Sequence, residues 1–113
     1  MANNFKLVNN AVMSTSAGTT DALYTVPSST TTIILGLTLC NVHTAQVSAT
    51  VEIVDTSADI TSTVIKDAPI PVGGSLEIMS GNKIVVETTD VVKVSSSIAD
   101  KISATMSIME IGP

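Results

Sequence analysis

A chain of 113 residues with ten acidic residues, five lysines and no arginine carries a formal net charge of −5. That balance repels polyphosphate, and without guanidinium forks there are no bidentate contacts to phosphate or guanine, so nucleic acid is excluded as a partner. One cysteine (Cys40), one histidine (His43) and two aromatics (Phe5 and Tyr24) leave no intrachain disulfide and no platform for stacked bases.

Val (14), Ile (12) and Thr (16) supply 42 of the residues, a β-branched excess that favours pleated sheet and leaves helix minor or missing. Ser and Thr together number 30, so hydroxyls cover the surface where charge usually does. Neutral faces of this kind suit close packing against another copy. The length fits a single domain.

The first twenty residues read as an N-terminal strand or arm. A short apolar patch at Phe5, Leu7, Val8 and Val12 is followed by a small, hydroxyl-rich stretch from Ser14 to Thr20. Such a segment buries too little surface to order itself and is expected to rely on a neighbouring subunit. It has no basic, apolar leader, and the longest apolar run, at 33–37, is far below membrane-spanning length, so synthesis in a cytoplasm and no membrane partner are expected.

Residues 21–113 read as one sandwich domain. A strand at 21–26 stops at Pro27, and Ser28 to Thr32 turn the chain into a strand at 33–40 whose core set is Ile33, Leu35, Leu37 and Leu39. A strand at 46–54 alternates without error, with Val47, Ala49, Val51 and Ile53 apolar and Ser48, Thr50 and Glu52 polar. A loop at 55–59 leads to a strand from 60 to about 66. Pro69 and Pro71 are rigid, and Gly73-Gly74 reverses the chain into 76–79 as a hairpin. Ser80-Gly81-Asn82 leads to 83–87, Thr88-Thr89-Asp90 to 91–95, and the last strand, about 101–111, turns Ile102, Ala104, Met106 and Ile108 inward before Gly112-Pro113. The expected fold is all-β, an antiparallel two-sheet sandwich, jelly-roll-like or immunoglobulin-like, of eight or nine strands.

Groups able to do chemistry are few. His43 sits in a turn with no second histidine, short of the convergent ligands a metal needs and of the oriented base a nucleophile needs. Asp55 and Asp59 flank Thr56-Ser57-Ala58 without the glycine and bidentate glutamate of a calcium loop, and Asp90 reads as a turn residue holding backbone amides. Glu77, Glu87, Lys83 and Lys93 read as cross-strand pairs on an outer face. Gly73-Gly74 lacks the lysine and helix of a phosphate loop. No catalytic, cofactor or metal residue is expected.

Apolar residues on the wrong parity are more telling. Ile34, Met79, Val85 and Met109 fall on the side opposite the core set, and with Phe5, Leu7 and Val8 of the arm they form the expected interface of a homo-oligomer.

Ala22-Leu23-Tyr24-Thr25-Val26-Pro27, the Ser/Thr run after it and Ile33-Ile34-Leu35-Gly36-Leu37-Thr38-Leu39-Cys40-Asn41 resemble the opening of small virion structural proteins of tailed bacteriophages, cyanophages among them. Lys66-Asp67-Ala68-Pro69-Ile70-Pro71-Val72-Gly73-Gly74-Ser75-Leu76-Glu77, then Gly81-Asn82-Lys83-Ile84-Val85, Asp90-Val91-Val92-Lys93-Val94 and Ser107-Ile108-Met109-Glu110-Ile111, continue the likeness across about 20–111. The resemblance implies a non-enzymatic β-sandwich subunit on the exterior of a phage particle, made in the host bacterial cytoplasm. Its partners would be its own copies and other virion proteins, the major capsid protein for a head decoration or tail and neck proteins for an accessory subunit. The alternative is a small ligand-binding or adhesive sandwich such as a carbohydrate-binding module.

Overall fold

Period-two alternation produces the strands, and their pairing sorts them into two sheets. The computed structural model describes residues 3–13, 16–79 and 81–112. Met1, Ala2, Ser14 and Thr15 of the expected arm, Ser80 of the expected 80–82 turn and the terminal Pro113 lie outside the described residues.

The strands are β1 (Asn3–Met13), β2 (Asp21–Thr25), β3 (Thr31–Asn41), β4 (Val47–Asp55), β5 (Ile60–Ile70), β6 (Ser75–Glu77), β7 (Ile84–Val86), β8 (Val91–Ser96) and β9 (Ile102–Ile111). One sheet, A, runs β1-β9-β3-β6 with β7 also paired to β3; the other, B, runs β2-β8-β4-β5. Every pairing is antiparallel. β6 lies against Thr38–Cys40 and β7 against Thr32–Ile34, so the two lie end to end along β3 as one interrupted strand. Counted so, the order is that of an eight-stranded jelly roll. An immunoglobulin sandwich would pair its first two strands in one sheet, whereas β1 and β2 lie in opposite sheets here.

The inward set of β9, Ile102, Ala104, Met106 and Ile108, is wholly buried, as alternation predicts. Val47, Ala49 and Val51 of β4 face it from sheet B, with Ile53 half-buried at the rim. Each large side chain removed from water contributes roughly 1.5–3 kcal/mol, so this double row holds the sheets together.

Parity in β3 differs from the expected one. Ile34 pairs with Ile108 and Gly36 with Ser107, leaving Leu35 as an extra residue in a bulge. The bulge shifts the alternation by one, so Ile34 points inward with Leu37 and Leu39, each at most 2% exposed, while Ile33 and Leu35 turn outward. Glu77 of β6 fastens the bulge: its carboxylate accepts from the Leu37 N–H at 3.1 Å, the Met79 N–H at 3.2 Å and the Thr38 hydroxyl at 3.1 Å. These bonds together outweigh the opposing effect of burial and hold the Glu77 carboxyl below its ordinary value.

The Gly73-Gly74 reversal crosses from sheet B to sheet A and does not close a hairpin. Gly74 N–H donates to the Pro71 carbonyl at 2.9 Å, and Gly73 has φ +72°, the left-handed third position that a type II turn assigns to glycine. β5 runs past Lys66 to Ile70 because it is an edge strand, where Pro69 needs no ladder N–H.

Lys93 does not share an outer face with Glu77 as expected, since β6 belongs to sheet A and β8 to sheet B. Lys93 lies opposite Glu52 instead. Of the N-terminal segment, expected as a strand or arm, Asn3–Met13 form β1, which pairs with β9 from Asn3↔Ile111 to Met13↔Ile102, and Met13 is 1% exposed.

Candidate assembly face

The outer face of sheet A has an apolar end built across four strands. Register places Phe5 of β1 opposite Met109 of β9, Met109 opposite Ile33 of β3, and Ile33 opposite Val85 of β7. Leu7, Leu35 and Ile111 flank this row, each turned to the same side by its strand's alternation. Phe5 is 74% exposed, Leu7 63% and Val85 61%. The other end of the same face is polar, with Thr38, Ser103, Thr105 and Ser107.

Sheet B presents a different outer face. There Thr50 lies opposite Ser95, and Lys93 lies between Glu52 and Ala22. Residues 16–20 fold over it, the Gly18 N–H donating to the Ser96 carbonyl at 2.8 Å. Between these residues and the sheet is an open hollow of about 430 Å³ lined by Thr20, Ser48, Thr50, Glu52, Asp67 and Ser95 among others. Neither aromatic residue lines it. The outer face of sheet B thus mixes hydroxyls and charges with the Val54–Val91 pair, whereas sheet A carries an apolar row across four strands, a contrast that marks the second as the face to be covered.

Four of the seven residues expected at an interface, Phe5, Leu7, Val85 and Met109, meet on this face. Val8 does not: it lies opposite Met106 on the inner side of β1 and packs against the core. Ile34 and Met79 are corrections, being core residues at 1% and 4% exposure. The bulge turns Ile34 in, and Met79 closes the core in the break between β6 and β7. Ile33 and Leu35 belong to the outer face but carry the same alternation in the sequence as core residues. Gly36, a glycine inside an apolar strand, is the one local sign of the bulge.

Behind the apolar row a buried carboxylate ties three strands together. Glu110, 7% exposed, continues the inward side of β9. Its Oε2 accepts from the Tyr24 hydroxyl of β2 at 2.6 Å, and its Oε1 pairs with the Lys6 ammonium of β1 at 3.0 Å. The Tyr24 hydroxyl also lies 2.8 Å from the hydroxyl of Thr32, opposite Glu110 on β3. The Tyr24 bond, followed by Lys6, prevails over burial and holds the Glu110 carboxyl below its ordinary value. Burial, then the bond to Glu110, pushes the Tyr24 hydroxyl up to about 12. The cluster links the two sheets and anchors β1; sequence pattern gave no sign of it.

The remaining candidates hold loops. Asp55 Oδ1 accepts from the Ser57 hydroxyl and the Ala58 N–H, closing its own turn, with Asp59 at φ +57°. Asp90 binds the N–H groups of Thr56 and Glu87. The His43 N–H donates to the Asn41 side chain at 2.7 Å. Among the described residues no group of three or more His, Cys, Asp or Glu is placed to hold a metal ion, and no helix is long and apolar enough to cross a membrane.

No protein-family model matches the chain, and no curated protein matches it in sequence. Solved structures do match in fold. A chain of the T13 IBDV viral particle superposes with a TM-score of 0.61 at 11% identity over 96% of this chain, which spans 30% of that chain. A chain of the acid-stable capsid of Helicobacter pylori bacteriophage KHP30 gives 0.54 at 12% identity, covering 97% of this chain and 87% of that one. A chain from the disulfide-linked pili of Bacillus endospore appendages gives 0.56 at 14% identity, covering 98% and 87%. What these likenesses establish is the fold: the jelly-roll sandwich is an arrangement also used by subunits of viral particles and of a bacterial appendage.

Proposed function

We propose that this chain is a non-enzymatic structural subunit of a bacteriophage virion, self-assembling and placed on the particle exterior as a capsid decoration or a tail or neck attachment. The observation that carries the reading is the apolar row Phe5–Met109–Ile33–Val85, set side by side across four strands on one face of the sandwich. Covering a large apolar side chain contributes roughly 1.5–3 kcal/mol, so the three such residues standing mostly in water supply a driving force that offsets part of the roughly 4–15 kcal/mol cost of association. Fold likeness to an IBDV particle chain and a phage capsid chain supports the virion setting, and the end-to-end match with the phage chain suits a subunit of this size.

The test is incorporation. Virions assembled with labelled wild-type chain should carry it at regular positions, resolved as head or tail by imaging. Val85→Lys should fold normally and lose incorporation, because a charge placed in a desolvated contact costs several kcal/mol, on the order of a buried unpaired ion. Wild-type chain that stays off particles, or Val85→Lys that incorporates as well as wild type, would overturn the reading.

A further inference from the structure

The four edges of the two sheets are not alike. β2 is a five-residue strand ended by Pro27, and the β6–β7 edge is two three-residue pieces with a break between them. β5 carries Lys66 and Pro69, two register shifts and a positive-φ Asp67 at +50°. Each is a device that prevents another strand from pairing. Over Asn3–Asn10 β1 has one of them, Lys6, and none of the others: it contains no proline there, pairs with β9 in unbroken register, and shifts only between Asn10 and Met13. It is an outer strand of sheet A, so alternate N–H and C=O groups face away from β9, ready to pair with another strand.

We infer that the free edge of β1 pairs antiparallel with β1 of a second copy of this chain, joining two A sheets into one across a two-fold axis. This rests on the reading of the chain as a self-assembling subunit. Three features select a second copy as the occupant. The one charge on β1, Lys6, is ion-paired within its own chain with Glu110 at 3.0 Å, so it opposes the approach of a second β1 only in a register that sets two copies of Lys6 face to face. The edge is self-complementary, as an isologous contact requires. Finally, Phe5 and Leu7 stand on the outer face beside that edge, so pairing merges two apolar rows into one face.

Register follows from the residues. Faces stay aligned only when a residue of one strand meets a residue of like parity in the other. Centring on Lys6 opposes two lysines, and centring on Phe5 pairs only Asn3 to Leu7. Centring on Val8 or Asn9 runs the pairing into the bulge after Asn10. Centring on Leu7 sets Leu7 against Leu7, Phe5 against Asn9, Lys6 against Val8 and Asn4 against Asn10, and uses seven of the eight regular residues without opposing like charges.

The experiment is a cysteine scan in a Cys40→Ser background. Across an antiparallel pair the Cα atoms of facing residues lie about 4.5–5.5 Å apart, within the range of roughly 4.4–6.8 Å that a disulfide bridges. Leu7→Cys should therefore give covalent dimer on mild oxidation. Asn9→Cys, on the same face but about 13 Å from its own copy at ~3.3 Å per residue, should link at least tenfold more slowly. Equal linking of both overturns the register. Absence of linking in a chain that light scattering shows to be multimeric overturns the edge contact and leaves the self-assembling subunit intact. Absence of linking in a chain that stays monomeric at high concentration overturns both. With Leu7→Cys and Ser107→Cys combined, facing residues of β1 and β9, a disulfide that forms only between chains would show an exchanged β1 and overturn the edge contact too.

Discussion

Tyr24 and Glu110 are 86 residues apart in sequence, and the hydroxyl of the first donates to the carboxylate of the second at 2.6 Å, joining β2 of one sheet to β9 of the other. The bond sits at the end of the sandwich where Lys6 also reaches Glu110. The same carboxylate therefore locks the sheets together and fixes β1 behind the apolar row.

Tyr24→Phe removes the hydroxyl and leaves Glu110 buried with one partner fewer. Loss of a hydrogen bond to a charged, buried acceptor costs about 1–3 kcal/mol. Chemical denaturation should show that loss with an unchanged slope; an unchanged midpoint would mean that the hydroxyl contributes nothing.

Alkaline pH tests the same bond. With its folded value raised to about 12 from 10.0, the Tyr24 hydroxyl contributes stability that is fully present below pH 10 and is lost as pH rises towards 12. Thermal melts of wild type should fall across that window more steeply than those of Tyr24→Phe. Parallel curves would contradict the shift.

Acid acts through Glu110 and Glu77, both held below their ordinary value of 4.5. A depressed carboxyl stabilises the fold above that value, and the contribution disappears as pH falls through the folded-state value. Glu110→Gln should melt lower than wild type at pH 7 and lose less on acidification, so the two curves converge in acid. A constant gap between them would show that the charge is not what matters.

Ile34 and Val85 separate core from surface. Ile34→Ala should cost about 2–5 kcal/mol, as truncation of a buried aliphatic does, and Ile34→Lys should abolish the cooperative melt. Val85→Lys, at a position 61% exposed, should melt within about 0.5 kcal/mol of wild type. Similar melts for Ile34→Lys and Val85→Lys would remove the bulge from the account of β3.

Affinity for DNA should be negligible, since five lysines among ten acids give too few free cations to release phosphate counterions. A gel-shift assay at near-physiological salt should show no complex; micromolar binding would overturn the charge argument.

The sequence by itself determined everything that depends on neighbours along the chain. Alternation at Val47, Ala49 and Val51 and at Ile102, Ala104, Met106 and Ile108 named two buried strand faces, because a side-chain period of two needs no partner to be read. The turn at Gly73 and the all-β class followed from the same local chemistry. Tertiary structure decided what depends on register. One extra residue at Leu35 exchanges the two faces of β3, taking Ile34 from the surface and sending Ile33 out, and nothing local except Gly36 announces it. Which strands share a sheet sent Glu77 to a backbone bulge and Lys93 to Glu52, and brought Tyr24, Thr32, Lys6 and Glu110 together. The assembly face is of this second kind: Phe5, Met109, Ile33 and Val85 come from four strands and form a row only when hydrogen-bond register sets them side by side.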